Sequence, residues 1–231
     1  MVCMEKFRFI LKEVWKGNSL WRALTHEAFR RIEISGTVFD LGSGSKQAYF
    51  SYLTERPPVT VLNFDQKGTT TTPPVNLETD RIPRPDQSAD MVIMCNILEH
   101  LYAHDFALKE AYRVLKSGGR LVGFVPFFCH YHAGPHDYFR YTFEALEKMF
   151  EGAGFSAEAS KRGITALGYG PFAVSYHSVF FLSIPKRTRR RLKLIITAFM
   201  PLALALDRLF IKIYPNLPKE FPLGYQFDIK K

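Results

Sequence analysis

Apolar runs of strand length alternate with segments of helical length through the middle of this chain. That alternation limits the fold more than any other feature. Gly36–Leu41, Val59–Phe64, a short piece near Val75, Ala89–Cys95, Arg120–Phe127 and Phe155–Ser160 read as strands. Between them, 46–55 reads as a helix stopped by Pro57-Pro58, and 104–116 as a helix stopped by Ser117-Gly118-Gly119. Residues 142–152 read as a helix opened by Thr142, with Ala145, Leu146, Met149 and Phe150 on one face. Upstream, 4–33 carries Phe7, Ile10, Leu11, Val14, Trp15, Leu20, Leu24 and Phe29 at mixed helical spacing, which predicts one or two amphipathic helices. Strands alternating with helices build right-handed βαβ units and a mostly parallel sheet. Ligands in such a sheet sit at the carboxyl ends of the strands, where the strand order switches.

Chemistry-bearing residues stand at those ends. Asp40-Leu-Gly-Ser-Gly-Ser45 follows the first strand, and its glycines let the backbone approach a ligand beside free N–H groups at a helix start. Asp65 ends the second strand, where an acid can accept hydrogen bonds from both hydroxyls of a ribose. Together they point to a cofactor that contains a nucleoside. A Gly-x-Gly alone also suits a plain tight turn, with Asp40 as a satisfied turn residue. A dinucleotide-binding dehydrogenase would need a further glycine where Gln47 stands, and would have no place for Glu110–Gly119.

Four blocks occur in order: Val38-Phe-Asp-Leu-Gly-Ser-Gly44; Asn63-Phe-Asp65; Asp90 to Leu101, which contains Glu99 and His100; and Glu110-Ala-Tyr-Arg-Val-Leu-Lys-Ser-Gly-Gly119. Over residues 36–160 this set resembles the class I S-adenosylmethionine-dependent methyltransferases, and more narrowly the type 11 methyltransferase domain. The resemblance implies an α/β Rossmann-like fold with a seven-stranded, mostly parallel sheet of order 3-2-1-4-5-7-6 and helices on both faces. It implies S-adenosylmethionine as cofactor and S-adenosylhomocysteine as product. Asp40, Gly42 and Gly44 would shape the loop under the methionine part. Asp65, with Gln66 beside it, would bind the ribose. Asn76 and Leu77 would flank the adenine, and Asn96 would face the reaction centre. His100 would be a helix-start or cofactor-pocket residue. Two positions depart from the family: Lys46 stands where many members have a third glycine, and Asn76 where many have Asp.

The acceptor side is expected after the fifth strand, in Pro126-Phe-Phe-Cys-His130-Tyr-His132-Ala-Gly-Pro-His136-Asp137-Tyr138-Phe-Arg140-Tyr141-Thr142. Methyl transfer to an alcohol benefits from a base near neutral pKa, so His132 or His136 is the expected base, with Asp137 as its orienter. Arg140, Tyr138 and His130 are expected to position the substrate, Arg140 by gripping an anionic acceptor with its fork. The block is also open to a structural reading, in which His136, Asp137 and Arg140 merely order a loop. His130-x-His132 resembles the start of a metallo-hydrolase ligand set, but Gly134 and Pro135 occupy the next ligand positions, so no metal is expected. Pro135-His-Asp-Tyr-Phe-Arg-Tyr-Thr142 further resembles a methyltransferase subgroup with a P-x-D-Y-x-R-Y-T signature, which implies a link to cell-surface glycan biosynthesis.

Four regions are expected: a helical cap over 1–35, the cofactor-binding core over 36–162, an apolar and basic helical insertion over 163–222, and a closing strand over 223–231. The chain has 231 residues, with Lys+Arg 31 against Asp+Glu 22, a net charge of +9 that favours an anionic partner. Six of the eight residues Lys186–Lys193 are basic, and the apolar Leu194–Leu206 follows. A basic cluster beside an apolar helix reads as an interfacial element, with about 1 kcal/mol for each Lys or Arg near an anionic leaflet. A lid or homodimer face is the other reading. Nucleic acid is a disfavoured third, because no aromatic residues interleave the cluster. Leu194–Leu206 is too short to span a bilayer, which takes roughly 18–20 apolar residues. The charged N-terminus lacks a signal-peptide core. Cys3, Cys95 and Cys129 form no CxxC pair, so a reducing cytosol is expected, with peripheral attachment to the inner membrane face. The expected function is therefore O-methylation of a glycan, lipid-linked or small-molecule hydroxyl. The alternatives are a methyltransferase-like scaffold of a membrane complex, which Lys46 and Asn76 favour, and an RNA methyltransferase.

Overall fold

The computed structural model describes residues 2–42, 59–62, 75–180 and 186–231. The N-terminal region is two helices, α1 (Val2–Trp15) and α2 (Leu20–Phe29). They part at Gly17, which takes a φ of 95°, and Ser19 opens α2 by accepting a hydrogen bond from the Arg22 N–H.

Among the described residues the sheet has six strands: β1 (Val38–Leu41), β2 (Val59–Leu62), β3 (Ala89–Cys95), β4 (Leu115–Pro126), β5 (Ile164–Gly168) and β6 (Pro222–Lys230). Their order is β2-β1-β3-β4-β6-β5. β1 runs parallel to β2 and β3, and β3 parallel to β4. β6 runs against β4, since the Gly118 N–H bonds the Lys231 carbonyl at one end and the Phe127 N–H bonds the Leu223 carbonyl at the other. The helices α3 (His104–Val114), α4 (Phe143–Ala153), α5 (Ala157–Gly163), α6 (Pro171–Phe180), α7 (Lys186–Ile213) and α8 (Leu217–Glu220) complete the fold.

Three expectations are corrected. Among the described residues the seven-stranded order lacks its outer strand, and Val75 itself is not in a strand. There the Asn76 side-chain oxygen accepts the Glu78 N–H and Asp80 takes the Asn76 N–H, which curls the chain into a turn. The strand expected at 155–160 is helical instead, because Ser156 caps α5 by accepting the Ala159 N–H. The strand itself comes later, as β5. Ser117-Gly118-Gly119 does not separate α3 from the next strand, since β4 already begins at Leu115. The helix expected at 46–55 lies outside the described residues.

The chain divides into two compact units. One comprises Ile32–Pro126, Tyr131–Thr165 and Tyr225–Lys231. Its core is apolar sheet and helix: Leu41, Leu62, Ile93, Met94, Phe124, Phe150 and Phe227 are wholly or almost wholly buried. A Cβ on Gly123 of β4 would overlap the Met94 carbonyl of β3 and the Phe227 ring of β6. Only glycine lets these three strands pack this closely.

The other unit comprises Met1–Arg31, Phe127–His130 and Ala166–Gly224. In it α7 is unbroken through Pro201, so the proline does not end the apolar stretch. One face of α7 buries Met200, Leu204 and Asp207. The Asp207 carboxylate accepts the Phe172 and Ala173 N–H groups at 3.1 and 2.7 Å, filling the donor end of α6. Burial pushes the Asp207 carboxyl up, and these two bonds partly offset the push.

Candidate active site

The ends of β1 and β3 lie side by side, with Asp40 in register with Ile93. Asp40 is fully buried. Gly42, one residue past β1, has a φ of 91°, and a Cβ there would run into the Ile97 side chain. Asn96, one residue past β3, has a φ of 51°, a left-handed conformation that Asn tolerates, and its N–H is held by the Phe124 carbonyl at 2.8 Å. Asp40, Gly42 and Asn96 thus meet where a sheet of this kind binds its ligand. Gly44, Asp65 and Gln66 lie outside the described residues. Asn76 and Leu77 form the turn described above, and the Asn76 side-chain oxygen is already engaged by the Glu78 N–H. Leu77 is buried.

Beyond β3 the chain makes a short turn, Leu98–His100, and the segment after β4 folds back onto it. The Tyr138 and Phe139 N–H groups donate to the Glu99 carbonyl at 2.8 and 3.3 Å. The Tyr141 hydroxyl donates to the Leu98 carbonyl at 2.9 Å. His100 Nδ1 contacts the His136 carbonyl. Burial, with Glu99 adding to it, pushes the Tyr141 phenol far up, so it serves here as a neutral donor.

A charged knot forms at this junction. The Asp137 carboxylate, only 1% exposed, takes Arg140 Nη1 on Oδ1 at 2.6 Å and Nη2 on Oδ2 at 2.7 Å. Oδ2 also accepts the His132 backbone N–H at 2.8 Å. The hydrogen-bonded Arg140 guanidinium holds the Asp137 carboxyl far below the usual range against the opposing effect of burial, so it is ionised at any physiological pH. His132 Nδ1 lies 3.5 Å from Asp137 Oδ2 and 3.4 Å from Arg140 Nη2. Its Nε2 lies 3.8 Å from Glu99 Oε1, as does that of His100.

The structure therefore brings His132, Asp137 and Arg140 together. It does not pair Asp137 with His136, whose exposed ring lies against Tyr138 with centroids 5.2 Å apart. The Arg140 fork is taken up by Asp137 instead of standing open. Tyr138 is exposed. His130 belongs to the other unit, where its Nδ1 lies 3.8 Å from Cys129 Sγ. Sequence reasoning missed Glu99. No local signal marks it, because Glu99 follows β3 only after Asn96-Ile97-Leu98 and the His132 ring that faces it is distant in the chain.

Residues 39–123 match a family model described as a methyltransferase domain. Among solved structures, the chain is similar to an S-adenosylmethionine-dependent methyltransferase from Archaeoglobus fulgidus. The two are 17% identical, with a TM-score of 0.57, over 97% of this chain and 100% of that one. It is also similar to one from Mesorhizobium loti, 15% identical with a TM-score of 0.51, over 94% of this chain and 99% of that one. At such identities the likeness speaks for the fold. No curated protein matches the sequence.

Proposed function

We propose that this chain, which carries a class I S-adenosylmethionine-dependent methyltransferase domain, methylates a hydroxyl of a glycan or lipid-linked acceptor at a membrane surface. The cofactor is S-adenosylmethionine, which supplies an electrophilic methyl group on a sulfonium sulfur. The residues present fit it. Gly42, with a φ of 91°, lets the end of β1 turn tightly against Ile97, and the left-handed Asn96 turns the chain at the neighbouring end of β3. By resemblance, Gly44 continues that loop, Asp65 and Gln66 take the ribose, and Asn76 and Leu77 flank the adenine.

The carrying observation for a hydroxyl acceptor is the knot of Glu99, His100, His132, Asp137 and Arg140 next to Asn96. An alcohol must lose its proton as the new bond forms, and imidazole suits that task near neutral pH. His132 is favoured over His136, because ionised Asp137 and its Arg140 partner brace it on the Nδ1 side. The ring is one-third exposed, which leaves it accessible to an acceptor.

The membrane part of the reading rests on α7. Phe199, Leu202, Leu209, Phe210 and Ile213 are exposed and fall within one 100°-wide stripe at helical spacing. The same helix begins with the basic run Lys186–Lys193. A basic segment continuing into an exposed apolar stripe suits an anionic bilayer surface. Among the described residues no helix is long and apolar enough to cross a membrane.

The test is calorimetric titration with S-adenosylhomocysteine, followed by transfer of a labelled methyl group to lipid-linked saccharide acceptors. Asp65→Ala should weaken binding by about 1–3 kcal/mol through loss of the ribose hydrogen bonds. Label recovered in a base-stable ether is the expected product. Label recovered in an amine or in RNA would overturn the hydroxyl assignment.

A further inference from the structure

We propose that Glu99, His100 and His132 form a binding site for one divalent transition-metal ion. Glu99 is fully buried, and neither of its carboxylate oxygens has a hydrogen-bond partner among the described residues. A buried carboxylate left without a donor is strongly disfavoured, so something must neutralise it. What faces it is two imidazole nitrogens, each 3.8 Å from Oε1.

The tautomer of His100 sharpens the conflict. Its Nδ1 contacts the His136 carbonyl, which can only accept, so the ring proton sits on Nδ1. Nε2 is then the nitrogen left to bind an ion on the side of Glu99. At 3.8 Å the gap is too wide for a shared proton, since hydrogen bonds between such atoms span about 2.6–3.2 Å. It is close to the roughly 3.4 Å that separates two ligands around a tetrahedral ion with bonds of about 2.0–2.1 Å. The three ligand atoms lie within 4.8 Å of one another, and the two rings meet edge to face with centroids 5.1 Å apart.

The surroundings match those of metal-bound histidines, whose other nitrogen is held by a carbonyl or carboxylate. His100 has the His136 carbonyl. On its Nδ1 side His132 has Asp137 Oδ2 at 3.5 Å and Arg140 Nη2 at 3.4 Å, and Arg140 Nη2 donates to that carboxylate oxygen at 2.7 Å. Two imidazoles and one carboxylate suit Zn²⁺, Co²⁺, Mn²⁺ or Fe²⁺, whereas Mg²⁺ and Ca²⁺ prefer oxygen ligands. Three protein ligands leave a coordination position open.

The further role of that open position rests on the hydroxyl-transfer reading above. It would take the acceptor oxygen and make its O–H more acidic. With the ion in place His132 is a ligand, and the hydroxyl proton passes to water. The oxygen lone pair then forms the new O–C bond while the C–S bond breaks and sulfur keeps its electron pair. Ion binding itself does not depend on that role.

The test uses the full chain, stripped with a chelator and titrated with Zn²⁺ by calorimetry and with Co²⁺ by visible absorption. One equivalent should bind, with the d–d bands of a nitrogen- and oxygen-ligated site, and Zn²⁺ should raise the melting midpoint. Glu99→Gln and His132→Ala should each weaken Zn²⁺ binding at least tenfold while S-adenosylhomocysteine still binds, which shows that the variants are folded. Cys129→Ser should leave Zn²⁺ binding intact. The proposal is overturned by no binding, by binding that survives Glu99→Gln, by loss in Cys129→Ser, or by equal affinity for Mg²⁺. Metal binding without S-adenosylhomocysteine binding would sink the transfer role alone and leave the ion site standing.

Discussion

Arg140 closes on Asp137 with both terminal nitrogens, one to each carboxylate oxygen, at 2.6 and 2.7 Å. A fork matched to a carboxylate in this way fixes direction as well as distance. It ties the segment after β4 into one rigid piece.

Arg140→Ala leaves a buried carboxylate without its main partner. It should cost about 1.5–3 kcal/mol of stability. Arg140→Lys keeps the charge but loses the fork, so it should recover only part of that loss. Urea unfolding of the three proteins checks the order wild type, Lys, Ala. A Lys variant as stable as wild type would show that charge alone is enough.

Gly42→Ala places a Cβ against Ile97 at a φ that L residues avoid. Strain of this kind costs about 1–3 kcal/mol. Affinity for S-adenosylhomocysteine should fall in calorimetry. A compensating Ile97→Ala change should recover part of the loss by removing the collision.

His177 sits buried on α6, and burial pushes its imidazole down to about 4 from 6.5, with the nearby His130 adding to the effect. The fold therefore holds it neutral, while the unfolded chain gains a proton below pH 6.5. Its contribution to stability is complete above that pH and lost as pH falls to about 4. The full loss is about 3 kcal/mol. His177→Phe should flatten this part of the curve of melting midpoint against pH. An unchanged difference between the two proteins from pH 7 to pH 4 would refute the assignment.

The exposed stripe of α7 makes a prediction about partitioning. Phe199→Ser and Ile213→Ser should each weaken binding to vesicles rich in anionic lipid, by at least tenfold if the side chain is inserted, since burying one contributes about 1.5–3 kcal/mol. Raising the salt concentration should weaken binding further, as expected for a basic run on a charged surface. A flotation assay reads both effects. Neutral vesicles that bind as well as anionic ones would count against the basic run.

Much of the sheet was legible, because β1, β2, β3 and the Leu121–Pro126 end of β4 are mostly apolar runs of strand length. The Thr142 cap also made the start of α4 plain, and the structure ends that helix at the left-handed Gly154. What failed was local. Phe155–Ser160 alternates like a strand, yet a single Ser156 hydrogen bond to the Ala159 N–H turns it helical. Val75 has the residue type of a strand, and Asn76 overrides it from the next position. The site was half legible. His132, Asp137 and Arg140 stand within nine residues, so their grouping could be read from spacing. Glu99 could not, because its partner His132 is 33 positions away, and only the fold turns its side chain inward instead of toward solvent.

The chain passes between its two units five times, at 31/32, 126/127, 130/131, 165/166 and 224/225. Neither unit is a contiguous stretch of gene. A fragment ending at Thr165 would lack Tyr225–Lys231, and with them the Phe227 ring that packs against Phe150. Expression of such a fragment alone should therefore yield a sheet with an open apolar edge, prone to stick to other chains. The helix with the exposed stripe cannot have joined this protein as a removable cassette at one end. The two units are interleaved along one chain, so neither can be cut from the other at a single point.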